Sequence, residues 1–143
     1  MNRSVTNSSA NITNRRRSVP GSNLPARIAS LSRALFNTDL DSRIRSLRYQ
    51  LIHATAGALI AARRHDADTA IFLVHEFISD RLNTVKLATN HNDWQSFLAA
   101  LLLDSGIHSH PEGAVGPVRV AGGGRVPSDI PLYLGKIQTH LPQ

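Results

Sequence analysis

From Met1 to Asn23 the chain is built mainly of serine, asparagine, threonine and arginine, with almost no large apolar side chains. Such a stretch cannot bury enough surface to offset the entropy of ordering it. It predicts a disordered tail over residues 1–23 and leaves residues 24–143 to build the whole core as a single domain. That remainder is long enough for one domain and too short for two. The tail also holds the charge imbalance. Residues 1–38 contain Arg3, Arg15, Arg16, Arg17, Arg27 and Arg33 and no acid, whereas residues 39–143 balance ten basic against ten acidic side chains. The formal charge of +6 is therefore an N-terminal property. Arg15, Arg16 and Arg17 are candidate nucleic-acid contacts, a cluster able to gain affinity by releasing counterions from phosphates. The same composition also suits a plain solvated tail, the product of an unusual start site, or a transit peptide, although the apolar face of a transit helix is absent.

The chain has no cysteine, which removes disulfides, thiolate zinc sites and a cysteine nucleophile together. Its longest strictly apolar runs, Ala70–Val74 and Phe97–Leu103, fall far below the roughly 18 residues of a membrane-spanning helix. No membrane partner is expected, and the cytoplasm is the expected location.

Past Pro25, apolar residues at Ile28, Leu31 and Leu35 predict a short helix over 26–36. Thr38, Asp39 and Asp41 are good caps for a longer one over 42–64, with Ile44, Leu47, Leu51, Ala54, Ala58 and Ala62 on one stripe. Gly57 inside that helix suggests that another backbone packs closely there. The run Ala70–Phe77 reads as a buried strand, with a helix continuing to Leu82 as the competing reading that periodicity leaves open. Asn92 caps a helix carrying Trp94, Phe97, Leu98 and Leu101. The glycine- and proline-rich stretch 104–131 predicts loop with an edge strand over 118–121, and 130–138 a final strand. The sum is an α/β fold with a sheet of about three strands and two main helices. Three strands are few for independent stability, so a homo-oligomer or a partner covering an exposed sheet edge is expected.

Several constellations carry possible chemistry. His108, His110 and Glu112 have donor spacing for a metal, but nothing regular around them would hold a second shell, and a solvated loop is the plainer reading. Gly122-Gly123-Gly124-Arg125 lacks the Lys-Ser/Thr ending of a P-loop and reads as a turn. Ser105 lacks the context of a nucleophile elbow. Arg48, Gln50 and His53 crowd one end of the long helix, and Gln50 and His53, three apart, occupy neighbouring faces, although the plainer reading has His53 bonded to a backbone carbonyl and Gln50 facing water. His75 and Glu76 end the first strand on opposite faces, so one of them faces protein, and a satisfied structural histidine is the default.

At these residues the chain resembles a known group. Arg48-Tyr49-Gln50-Leu51-Ile52-His53-Ala54-Thr55-Ala56-Gly57-Ala58-Leu59-Ile60, then Phe72-Leu73-Val74-His75-Glu76-Phe77, then Pro131-Leu132-Tyr133-Leu134-Gly135-Lys136 are similar to segments of an uncharacterised bacterial domain family whose members look like PD-(D/E)XK nucleases. The likeness spans about residues 26–137 and implies part of a restriction-endonuclease-like sheet, with Arg48, Gln50, His53 and His75 lining its cleft. The acidic half of that site is missing. Only Lys86 and Lys136 exist, and neither has an acid two residues earlier. The resemblance thus implies a catalytically incomplete relative with no cofactor. The alternative is a module that binds nucleic acid through the basic tail without cutting it.

Overall fold

The computed structural model describes residues 23–81, 83–107 and 113–142. The element order is α1 (Leu24–Phe36), α2 (Ser42–Ser46), α3 (Tyr49–Arg64), β1 (Ala70–Ile78), α4 (Thr84–Leu102), β2 (Val115–Val118) and β3 (Leu132–His140). The architecture is α/β, as expected. The tail through residue 22, with Arg15, Arg16 and Arg17, and the His108–Glu112 cluster lie outside the described residues.

Local chemistry explains the helix ends. A proline in its first turn starts α1, and Asn37, left-handed at φ 52°, stops it by donating its N–H to the Arg33 carbonyl. Asp41 caps α2 by accepting from the Ile44 N–H at 3.0 Å. That bond, with help from Arg43, holds the Asp41 carboxyl below its ordinary range.

Two helix expectations need correction. The single helix expected over 42–64 is two, broken where Leu47 and Arg48 are extended. No local breaker causes this. The re-aimed chain buries Ile44 of α2 and also Ile52, Ala56 and Leu59 of α3, while Arg48, at the start of α3, reaches Asp93 on α4. The last helix starts earlier than expected, at Thr84, and is capped by Asn83 rather than by Asn92, which lies within it. Its first turns are solvent-facing, with Val85 exposed, so no apolar stripe marks them.

The sheet has the order β1-β3-β2, with β1 parallel and β2 antiparallel to β3. The short strand β2 lies earlier than the expected 118–121. Gly116 lets it approach β3: a Cβ there would sit 2.7 Å from the Leu132 carbonyl oxygen, and its φ of 147° also favours glycine.

The helices cover one face of the sheet. Phe97, Leu98, Ile52, Leu59, Leu132 and Leu134 are fully buried there, and Phe97 meets Phe36 edge-to-face at 6.1 Å. Each such side chain contributes about 1.5–3 kcal/mol by leaving water. The strand β1 alternates, with Ala70, Phe72, Val74, Glu76 and Ile78 inward, so it is not buried on both sides. Ile71, Leu73 and Phe77 of β1 and Ile137 of β3 are instead exposed on the opposite face. Among the described residues nothing covers that face, and β1 is an edge of the sheet. No helix among the described residues is long and apolar enough to cross a membrane.

Candidate functional site

The carboxyl-terminal halves of β1 and β3 border a cleft of about 250 Å³ between the sheet and the helices α3 and α4. This is where ligands collect in open α/β sheets. Strand alternation and register assemble it. Glu76 shares the inward face with Phe72 and Val74, and the parallel register sets Glu76 opposite Gln138 and Val74 opposite Lys136. Three residues from two strands therefore meet on one face.

Their contacts engage both oxygens of the carboxylate. Lys136 Nζ lies 2.9 Å from Glu76 Oε2, the Gln138 amide donates to the same oxygen at 2.8 Å, and the Asn90 amide of α4 donates to Oε1 at 2.9 Å. The side chains of Glu76 and Lys136 are only 9% and 11% exposed, so this pair is buried in the fold. Burial alone would raise the Glu76 carboxyl. The hydrogen bonds from Gln138, Lys136 and Asn90 and the charge of Lys136 outweigh it and lower the carboxyl from 4.5 to about 2.

At the rim, the Arg48 guanidinium is paired with Asp93 and stays partly exposed. Gln50, in the first turn of α3, lines the cleft, and no hydrogen bond occupies its amide among the described residues. Leu51, Val74 and the buried indole of Trp94, whose ring is tilted against Phe72 at 6.3 Å, give the cleft an apolar side.

Of the four residues expected to line the cleft, the structure brings together Arg48 and Gln50. His75 borders it through its place in β1, but its imidazole lies on the open face, bonded to Thr139 Oγ1 at 2.8 Å and stacked on Phe77 at 4.1 Å. The inward residue of the pair His75–Glu76 is thus the glutamate, which corrects the expectation of a structural histidine. His53 is not in the cleft. It accepts from Arg27 of α1 at 3.2 Å and borders a separate groove. Glu76, Asn90, Asp93, Lys136 and Gln138 are the members that sequence reasoning missed.

The donor set is poor in metal ligands. Among the described residues no three His, Asp or Glu side chains converge. The cleft's two carboxylates, Glu76 and Asp93, each face a cation.

No curated protein and no solved structure matches the chain. The profile of one family, described as a domain of unknown function (DUF6946), matches residues 7–141, which takes in most of the polar N-terminal tract and every strand and helix described above. The chain therefore belongs to the DUF6946 family.

Proposed function

We propose that the chain is a non-hydrolytic relative of the PD-(D/E)XK nucleases that holds nucleic acid without cutting it. The observation that carries this reading is the Glu76–Lys136 pair. A carboxylate and a lysine stand on neighbouring strands with Gln50, the residue the resemblance carries over, on a flanking helix alongside, but the lysine closes on the carboxylate. Metal-dependent phosphodiester hydrolysis relies on carboxylates that hold a cation and on water activated by it. Here both Glu76 oxygens are taken by Asn90, Gln138 and Lys136, and Asp93 is held by Arg48. Affinity then falls to the surplus positive charge, above all to Arg15, Arg16 and Arg17.

Plasmid nicking and oligonucleotide binding test this together. With magnesium or manganese, supercoiled plasmid stays intact, whereas oligonucleotides bind with an affinity that falls steeply with salt, and deleting residues 1–23 flattens that slope. Cleavage that disappears in Glu76→Gln, or no binding even at low salt, overturns the reading.

A further inference from the structure

A second groove, of about 360 Å³, lies between α1, α3 and the turn that follows Gly122. Its polar edge is made by Arg27, Ser30, His53 and Arg125, and its apolar floor includes Leu31, Ile60 and Val126. Among the described residues no carboxylate lines it. Among the described residues neither Arg27 nor Arg125 forms an ion pair, and the chain holds no acid before Asp39. Two guanidiniums thus border one concave surface without a counter-charge among the described residues.

The fold holds this arrangement in place. Gly123 and Val126 exchange two backbone hydrogen bonds of 2.9 and 3.0 Å, closing a two-residue turn in which Gly124 has φ 59° and Arg125 follows it at the rim. The turn is tied to α1 by the Gly122 N–H, which donates to the Ala34 carbonyl at 2.9 Å. On the other wall, Gly57 does not mark the close helix crossing that its sequence position suggests. A Cβ there would meet nothing within 4 Å, so this glycine contributes open space to the groove.

We propose that this groove binds a small organic anion, a phosphate or carboxylate head on an apolar body. Arg27 and Arg125 meet the head with charge-assisted hydrogen bonds, which are stronger than neutral ones, and the Ser30 hydroxyl adds a donor. The body lies on Leu31, Ile60 and Val126, where the gain is that of removing apolar surface from water. The proposal is independent of nucleic-acid binding, since the ligand is a single small molecule with one charged head.

The test uses the full chain, with phenyl phosphate and benzoate as probes, and inorganic phosphate and phenol as the head and body alone. Calorimetry reads affinity and amide NMR reads the location. Either amphipathic anion binds at least about tenfold more tightly than its separate parts, with saturable shifts at Gly57 and Gly123. Comparison of the two probes tells phosphate from carboxylate recognition. Arg125→Gln, a change at an exposed position, weakens binding about tenfold or more, and Gly57→Leu fills the groove and abolishes it. Should Gly57→Leu fail to fold, Arg125→Gln and the NMR map still decide. Both anions binding no better than phosphate and phenol, or binding untouched by Arg125→Gln, overturns the proposal. So does an oligonucleotide that shifts Gly57 and Gly123 when neither small anion does, which would assign the groove to strand phosphates.

Discussion

The two concavities flanking α3 use the same kinds of side chain to opposite ends. In the sheet-end cleft each charge has its opposite within reach, Glu76 with Lys136 and Arg48 with Asp93. In the groove beside α1, Arg27 and Arg125 have no acidic partner among the described residues. Charge inside a concave surface is therefore not by itself a sign of a vacant binding site. A buried pair that neutralises itself belongs to the stability of the fold, and an exposed pair of like charges over an apolar floor is available to a ligand.

Substitution of the lysine draws the clearest line between the two. Lys136→Met leaves the Glu76 carboxylate buried without its cation and costs about 3–5 kcal/mol in urea unfolding, most of it recovered when Glu76→Gln is added. Arg125→Gln, at an exposed position, stays within about 0.5 kcal/mol of the parent. Equal losses in the two variants would erase the distinction.

Acid gives the next largest effect. The Glu76 carboxyl falls from 4.5 to about 2 on folding, so its contribution is complete above pH 4.5 and is lost as the pH drops toward 2. That difference corresponds to up to about 3 kcal/mol. Chemical unfolding at stepped pH should show the decline in the parent and a flatter profile in Glu76→Gln. At the rim of the same cleft, Asp93→Asn should change stability by less than about 1 kcal/mol, because its partner Arg48 is nearly half exposed. In the groove, Gly57→Ala should stabilise the chain by up to about 1 kcal/mol, since the added methyl meets open space and glycine is a poor helix former. A loss in thermal unfolding would mean that the groove is narrower than described.

Much of the fold was legible in the sequence because apolar spacing and capping act locally. The stripe from Ile28 to Leu35, the cap at Asp41 and the apolar run from Ala70 each mark an element that the structure contains. The break at Leu47 and Arg48 was not legible, because the cause is burial of Ile44 and Ile52 on differently directed helices and contact with Asp93, 45 residues away. The site was legible in fragments. Arg48 and Gln50 stood out by their crowding at one helix end. Glu76 had a usable signal in its parity with Phe72 and Val74, and Lys136 in its parity with Leu132 and Leu134. What brings them together is the parallel register of β1 and β3, a pairing across about 60 residues that no local pattern encodes. The same absence of tertiary information turned Gly57 into an expected helix crossing when it borders an open groove.

The deciding measurement is an NMR titration of the Glu76 side-chain carboxyl carbon, run with and without millimolar magnesium. A carboxylate held by Lys136, Gln138 and Asn90 titrates at about 2 and keeps its chemical shift when the metal is added. Titration near 4.5, or a saturable shift with magnesium, would show a carboxylate free to hold a cation and would contradict the account.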